Sequence, residues 1–250
     1  MKNLILQVTV KLPNPPKSSM FSYTEEMYDL SNKKCKEYAD RVGADYVCIT
    51  ESKMPHPMWD RMRIFDGEFT EYDQILYVDS DYFFHELTPN LFEWTEKQDK
   101  LGFLVVDSQD QDSSACATNS RRTMTSLYFN SGFFLFKREF IDRFRYTWRD
   151  VANRYSDTPY PDQDALNFLL KDQMDDIQPL SRHWNGCMSV AKPLFSVHYA
   201  GLRKNEWTLE KHNERIEEKK DRIRGMTLEE IEGSYLTTHT EKSIKTDSLF

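Results

Sequence analysis

The amino-acid sequence predicts a single α/β domain with a mostly parallel central sheet flanked by helices. Apolar segments at residues 4–10 and 46–50 are separated by an amphipathic segment that ends at Gly43, which gives the order strand, helix, strand. A third apolar run, residues 75–84, follows another helical segment that begins near Met58. Because two strands joined through a helix normally form a right-handed parallel crossover, we expect these strands to lie parallel in one sheet.

The remaining elements follow from local patterns. Ser22 and Glu25 have the spacing of a capping box and predict the start of the first helix. Residues 107–122 are rich in Ser, Asp, Gln and Asn and predict a loop, either a lid or acceptor contact or a tolerated insertion. The highly charged segment 205–224 is typical of a solvated surface helix. Further strands are predicted at 101–106, 133–136 and 195–198, and further helices at 89–94, 139–155 and 164–170.

Composition restricts the class of protein. The 250 residues are 39% hydrophobic and 30% charged, as in a folded globular protein, and the net charge of −8 argues against a general nucleic-acid binder. No apolar run is long enough for a transmembrane segment or a signal-peptide core, so we expect a cytoplasmic protein. The cysteines are widely spaced and predict reduced thiols without a disulfide framework or zinc site: Cys35, Cys48, Cys116 and Cys187.

Two carboxylates stand at the point where the third predicted strand ends. Asp79 and Asp81 are separated by one residue and follow the apolar segment at residues 75–78. In open α/β sheets, ligands bind at the carboxyl ends of strands. Side chains at i and i+2 of an extended segment point the same way, so these two acids could converge on one hard cation that also binds a diphosphate.

Three further segments, together with these acids and with Arg63 on the helix before them, resemble a known family. They are Phe129-Asn130-Ser131-Gly132, the helix opening Pro161-Asp162-Gln163-Asp164, and His198-Tyr199-Ala200-Gly201-Leu202-Arg203-Lys204. In this order, the set resembles the retaining family 8 glycosyltransferases, which include glycogenin and bacterial lipopolysaccharide galactosyltransferases. The resemblance covers residues 4–207 and implies a GT-A type nucleotide-diphospho-sugar fold with one Rossmann-like sheet.

The resemblance also implies a role for each matching residue. Asp79, Asp81 and His198 would hold a divalent ion, Mn²⁺ in the first place and Mg²⁺ as an alternative. Asp162 and Gln163 would lie beside the reacting carbon, with Asp81 acting in catalysis through the metal. For Asp162 the structural alternative is a helix cap, and for Asp164 a solvent-facing position. Donor-binding residues are expected to be Arg63, Asn130, Ser131, Gly201, Lys204, Trp184 and Asn185.

The implied reaction is metal-dependent transfer of a hexose from a nucleotide-diphosphate sugar, with UDP as the expected nucleotide, to a glycan, lipid or protein acceptor. The resemblance implies retention of anomeric configuration, and the residues leave front-face attack and double displacement open. Residues 1–204 would form the catalytic domain, 205–233 a charged helical appendage and 234–250 a flexible tail. Asn205-Glu206-Trp207 replaces the Pro-Trp with which the family usually continues after the lysine.

Two other functions fit part of the pattern. A haloacid dehalogenase-type phosphatase also uses a strand-end Asp-x-Asp, although its acids usually end the first strand and are followed by Thr or Val. Here the acids end the third strand and precede Tyr82. A catalytically idle sugar-binding module on the same fold is the second alternative.

Overall fold

A computed structural model describes residues 1–10, 24–106, 114–185, 195–199, 207–224 and 226–232. The strands within these ranges are β1 (Asn3–Val8), β2 (Asp45–Ile49), β3 (Gln74–Val78), β4 (Tyr82–Phe84), β5 (Gly102–Val106), β6 (Phe129–Lys137), β7 (Ile177–Leu180) and β8 (Ser196–His198). Six of these described strands form one sheet in the order β2-β1-β3-β6-β5-β7, and β4 pairs with β8 in a second, two-stranded sheet.

The large sheet is mostly parallel, as predicted. Strands β2, β1 and β3 run parallel to one another, and β5 runs parallel to β7. Strand β6 is antiparallel to both of its neighbours, β3 and β5. This reversal places the first residues of β6 beside the last residues of β3, so that the Asp79 N–H donates to the Gly132 carbonyl oxygen at 3.0 Å.

The helices within the described residues are α1 (Glu25–Val42), α2 (Leu91–Glu96), α3 (Ser114–Thr123), α4 (Arg138–Arg143), α5 (Trp148–Tyr155), α6 (Pro161–Leu170) and α7 (Leu209–Ile223). Two 3-10 helices cover Pro57–Asp66 and Met174–Asp176. Helix α1 ends at Gly43, whose φ of 70° lies in the left-handed region that glycine tolerates. The N-cap of α1 is Thr24, whose hydroxyl accepts from the Met27 N–H, and not the predicted Ser22.

The two faces of the sheet are covered by different helices. Alternate residues of β3 point to opposite sides: Ile75 and Tyr77 pack with the Pro57–Asp66 helix, α4, α5 and α6, whereas Leu76 and Val78 pack with α1 and α2. This alternation is the period of two expected for strands buried on both faces. The molecule is therefore a three-layer α/β/α domain, and its fold class agrees with the prediction.

Several local predictions are wrong. The segment near Met58 folds as a 3-10 helix, and residues 139–155 form two helices because Phe144 turns into the core against Phe65 and Phe140. The predicted loop 107–122 contains α3, although residues 107–113 lie outside the described ranges. Strand β7 was not predicted; its Pro179 is tolerated because β7 lies at the sheet edge.

The charged C-terminal segment packs against the domain through one side. Ile223, Leu228 and Ile231 are buried in the same core cluster as α1 and α2. Burying an aliphatic side chain contributes about 1.5–3 kcal/mol, so these residues can hold the segment despite its charge. The boundary expected near residue 204 and the tail predicted at residues 234–250 lie outside the described residues. No helix in the described ranges combines the length and apolar character needed to span a bilayer.

The described thiols are free, as predicted. Cys35 is buried and Cys48 is half-buried, and neither forms a disulfide. The side chains of Cys116 and Cys187 lie outside the described part of the chain.

Candidate active site

The two aspartates lie in a tight turn after β3, and not in a continuous strand. The turn is closed by a 3.1 Å hydrogen bond from the Tyr82 N–H to the Asp79 carbonyl oxygen, after which β4 begins. The extended geometry assumed from the sequence is therefore wrong, although the turn still brings both carboxyl groups to one side. The carboxyl groups of Asp79 and Asp81 converge because the chain changes direction between β3 and β4.

Buried polar residues hold this turn. The Gln7 amide on β1 donates to the Asp79 carbonyl oxygen and to the Ser31 hydroxyl, each at 2.9 Å. Ser31 on α1 in turn donates to the Tyr82 carbonyl oxygen at 2.7 Å. Gln7 and Ser31 both have 0% exposure, so water does not compete for these bonds. The backbone on both sides of the acids is thus fixed from two elements.

His198 reaches the acids through the small sheet. Strand β8 pairs antiparallel with β4, with His198 opposite Tyr82. The imidazole Nε2 lies 3.2 Å from Asp81 Oδ1 and 3.7 Å from Asp79 Oδ2. One ligand atom from each of Asp79, Asp81 and His198 lies within 4.8 Å of the others. The sequence prediction that these distant residues meet is therefore confirmed as geometry.

The residues around this cluster fit a divalent metal. Two carboxylates and one imidazole form a donor set suited to Mn²⁺, and carboxylates also accept Mg²⁺. Gly132 leaves the necessary space, because a Cβ there would lie 2.5 Å from Asp79 Oδ2 and 2.9 Å from His198 Cε1. Only a residue without a side chain lets β6 pass this close to both groups.

Of the two arginines on this 3-10 helix, Arg61 contacts the acids of the site, and the predicted Arg63 does not. Arg61 Nη2 lies 2.9 Å from Asp79 Oδ1, while its Nη1 lies 3.0 Å from Asp162 Oδ2. Arg63 instead pairs with Asp60 and Glu68. Two positions along a 3-10 helix with three residues per turn point in different directions, so only one of the two arginines can face the acids.

Asp162 and Gln163 open α6 beside the start of β6. The Gln163 Oε1 accepts from the Ser131 N–H at 3.0 Å, and Asp162 Oδ2 accepts from the Ser131 hydroxyl at 3.1 Å. Arg61 Nη1 also donates to the Ser131 hydroxyl at 2.8 Å. Ser131 and Arg61 therefore join the first turn of α6 to the aspartate turn.

Neither structural alternative for the α6 acids is correct. The N-cap of α6 is Tyr160, and Asp162 accepts from Ser131 and Arg61. Asp164 is fully buried, with its carboxylate accepting from Arg122 Nη1 at 2.8 Å and the Tyr128 hydroxyl at 2.7 Å. Asp164 thus anchors α3 to α6, while Asp162 faces the site.

Asn130 and Asn185 lie beside His198. Asn185 Oδ1 is 2.6 Å from His198 Nδ1, and Asn185 Nδ2 donates to Asn130 Oδ1 at 2.8 Å. Trp184 does not support its predicted donor contact, because its indole is fully buried against Phe133 and Phe195 and donates to Glu232. Gly201 and Lys204 lie outside the described residues.

Tyr77 supports Asp79, one of the three residues that could hold a metal ion. Burial, the main cause, raises the pKa of Tyr77 well above its usual value, so its hydroxyl keeps the proton. That hydroxyl donates to Asp79 Oδ1 at 2.8 Å, and the guanidinium of Arg61 lies 4.9 Å from the centre of the Tyr77 ring. Tyr77 and Arg61 together hold Asp79 Oδ1, while Oδ2 faces His198.

Comparison of the sequence with models of known protein families identifies the family of this protein. The sequence profile of glycosyl transferase family 8 matches residues 19–221, far more than half of the protein. The chain belongs to glycosyl transferase family 8. It is therefore a glycosyltransferase, and the haloacid dehalogenase-type phosphatase alternative is wrong. Comparison with curated protein sequences gives no match.

Solved structures agree with this family 8 assignment at the level of the fold. A glycosyltransferase involved in glycosylation of the major capsid of PBCV-1 has a TM-score of 0.55 at 13% identity, covering 87% of this chain and 99% of that one. The galactosyltransferase LgtC, in complex with donor and acceptor sugar analogs, has a TM-score of 0.51 at 13% identity, covering 86% and 95%. GlyE of Streptococcus pneumoniae TIGR4 has a TM-score of 0.53 at 15% identity, covering 95% and 64%.

Sequence reasoning missed three residues of this family 8 site: Gln7, Arg61 and Tyr77. Gln7 carried a signal, since it is a polar residue inside the apolar run of β1. Arg61 stood only two positions from the chosen arginine, and the helix type that separates them was not evident from the pattern. Tyr77 resembled an ordinary apolar strand residue, and only the structure shows its hydroxyl beside Asp79.

Proposed function

We propose that this family 8 enzyme transfers a hexose from a UDP-sugar to an acceptor hydroxyl, with retention, using Mn²⁺ held by Asp79, Asp81 and His198. The observation that carries the proposal is the meeting of these three side chains, with ligand atoms within 4.8 Å of one another. Bound there, the cation supplies a Lewis acid that stabilises the negative charge of the departing diphosphate.

The transfer breaks the bond between the anomeric carbon and a diphosphate oxygen, and the departing UDP keeps the electron pair. A bond forms between the anomeric carbon and the acceptor oxygen, whose proton leaves to solvent or to the departing phosphate. The chain's own residues orient the reacting groups. Arg61 contacts both Asp79 and Asp162, and so fixes the distance between the metal-binding acids and the first turn of α6. Such preorganised groups need no rearrangement as charge develops.

Asp162 and Gln163 are proposed to flank the donor sugar together with Asn130 and Ser131. The support is that these four residues are adjacent. Ser131 donates hydrogen bonds to Asp162 and Gln163, and Asn130 precedes Ser131 on β6. Asp162 Oδ2 lies 3.0 Å from Arg61 Nη1 and accepts from the Ser131 hydroxyl at 3.1 Å, and an oxygen whose lone pairs are engaged in such bonds is a poor nucleophile. We therefore favour front-face attack, in which the acceptor approaches from the side of the leaving group.

The decisive test is donor turnover. The protein is incubated with Mn²⁺ and a panel of nucleotide sugars, and free nucleotide is compared between wild type and Asp81→Asn. We expect a loss on the order of 10²–10³-fold in the variant, the usual effect of removing a group that stabilises developing charge. Asp45→Asn is the matched control because Asp45 begins β2 at the opposite end of the sheet, and it should keep wild-type turnover.

Equal nucleotide release from wild type and Asp81→Asn would overturn the metal role, and no release with any donor would leave the idle sugar-binding module as the better description. The anomeric configuration of a transferred sugar, read by proton NMR, tests retention separately. A thermal-shift series tests donor binding, because ligand at about 100 times its Kd adds about 2.7 kcal/mol of stability. UDP with Mn²⁺ should raise Tm, and UDP with chelator should not.

A further inference from the structure

A chain of hydrogen bonds runs from the backbone of β6 to the ring of His198. The Gly132 N–H donates to Asn130 Oδ1 at 2.8 Å, and Asn185 Nδ2 donates to the same oxygen at 2.8 Å. Asn185 Oδ1 then lies 2.6 Å from His198 Nδ1. All three side chains are buried, with exposures of 7% for Asn130, 2% for Asn185 and 4% for His198.

The backbone N–H of Gly132 determines which atom donates and which accepts in each following hydrogen bond. An N–H can only donate, so the Asn130 atom that it contacts must be the carbonyl oxygen. The Asn185 atom facing that oxygen must then be the amide nitrogen, which leaves the Asn185 oxygen facing His198. An amide oxygen can only accept, so Nδ1 of His198 must carry a hydrogen.

We propose that Asn185, itself oriented by Asn130, is a positioning residue that holds His198 in the Nδ1–H tautomer and so directs the Nε2 lone pair toward Asp79 and Asp81. This inference rests on the metal site of the proposed function and assigns two residues of that site a role distinct from donor contact. Imidazole ligands are generally oriented by a partner on their second nitrogen, which fixes the tautomer and raises basicity at the ligating nitrogen. Here that partner is an amide whose own orientation is fixed by Gly132.

The backbone around Asn185 is also fixed. The carbonyl oxygen of the preceding Trp184 accepts from the Tyr82 hydroxyl and, at 2.6 Å, from the Ser196 hydroxyl. Tyr82 follows the aspartate turn on β4, and Ser196 begins β8, which carries His198. Asn185 is therefore held to both strands that supply metal-binding residues.

The first experiment reads the tautomer in the wild-type protein. ¹⁵N NMR of the histidine rings, without metal and at alkaline pH where the ring is neutral, distinguishes the two nitrogens, and a His198→Gln sample identifies the His198 signals. We expect Nδ1 to show the shift and coupling of a protonated nitrogen. A hydrogen on Nε2 with a bare Nδ1 would overturn the inference without any variant at the asparagines.

The second experiment measures Mn²⁺ affinity by calorimetry in Asn185→Leu. The variant removes both bonds of the amide at similar volume, and we expect metal affinity to fall about 10–100-fold, the usual cost of losing such an orienting partner. The same variant should show mixed His198 tautomers by NMR. An unchanged affinity with an unchanged tautomer would refute the positioning role.

Two control variants keep this result specific. Asn90→Leu removes another asparagine hydrogen bond, the N-cap of α2 to the Glu93 N–H at 3.3 Å, and should lower Tm while keeping Mn²⁺ affinity. Asn130→Asp keeps an oxygen that accepts from Gly132 and Asn185, and should keep the wild-type His198 tautomer. Mixed His198 tautomers in Asn130→Asp, like those expected in Asn185→Leu, would contradict the proposed bond chain.

The outcomes also separate this inference from the proposed function. If wild type binds no Mn²⁺, the metal assignment itself fails, whatever the tautomer. If wild type binds Mn²⁺ and Asn185→Leu binds it equally well, only the positioning role fails.

Discussion

Arg61, which is half-buried, and Arg63, which is buried, lie two positions apart on one 3-10 helix and have different kinds of partner. Arg63 pairs with Asp60 and Glu68, which are close to it in sequence. Arg61 pairs with Asp79 and Asp162, which come from a turn after β3 and from α6. The first arginine completes a local cluster, whereas the second joins distant elements whose acids also face other groups.

The two arginines differ in where their partners lie along the sequence. A cluster whose members are sequence neighbours can form with its own segment and serves that segment's fold. A cluster assembled from three elements depends on the whole domain, and its carboxylates are held where a further cation can share them. Asp79 shows this directly: Oδ1 binds Arg61 and Tyr77, while Oδ2 lies 3.7 Å from His198 Nε2.

Arg61→Ala should give the largest effect on turnover. Without the guanidinium, Asp79 and Asp162 lose the group that fixes their spacing, and we expect kcat/KM for donor turnover to fall on the order of 100-fold. The measurement is nucleotide release under saturating Mn²⁺, with folding at the assay temperature checked by circular dichroism. A variant with normal turnover would break the proposed link between the aspartate turn and α6.

Arg63→Ala should have the opposite profile. It leaves the fully buried Asp60 without its arginine, although the Ser52 hydroxyl and the Lys53 N–H still donate to that carboxylate. Breaking a buried pair costs about 3 kcal/mol, which for a protein of this size lowers Tm by about 6–12 °C. Turnover per folded molecule, assayed well below Tm, should match wild type. A large loss of kcat/KM at unchanged Tm would mean that Arg63, and not Arg61, serves the donor.

The same contrast explains how far the sequence could predict this protein. The first three strands, helix α1 and its glycine stop follow from local periodicity, and the cluster of Asp79, Asp81 and His198 follows from motifs in a family order. Helix α3 has no apolar period, and it is held by contacts from Arg122 to Asp164 and from the Tyr155 hydroxyl to the Arg122 carbonyl oxygen. Such partners are tens of residues away, so no local pattern contains them.

The candidate site divides in the same way. The residue types that bind a cation were evident in the sequence, but the groups that orient them were not. Gln7 and Tyr77 lie inside apolar strands, and Arg61 could be distinguished from Arg63 only by the direction in which each leaves its helix. Sequence identifies candidate ligands because their chemistry is specific, whereas their positioning depends on packing of the whole domain.

The smallest expected effect concerns a buried base that has no carboxylate partner among its described contacts. His212 on α7 packs against Phe83 and Tyr199, and burial together with the charges of Lys219, Lys34 and Arg215 lowers its pKa to about 4. Whereas Arg61 and Arg63 keep their charge beside acids, His212 is held neutral among bases. His212 therefore tests how like charges, and not opposite charges, affect a buried basic group.

Acid should weaken the protein through His212. Between about pH 6.5, where the unfolded histidine titrates, and about pH 4, the unfolded state binds a proton that the folded state does not. Stability is thus complete above this window and falls as pH decreases through it, by about 1–3 kcal/mol since each unit of pKa difference is worth about 1.4 kcal/mol. Urea unfolding of wild type and His212→Phe at pH 7 and pH 4.5 measures the difference. The variant should lose less stability on acidification than wild type. The loss that remains in the variant would come from His85 and His183, whose pKa values burial also lowers. Equal acid sensitivity of the two proteins would show that His212 is already charged in the folded state.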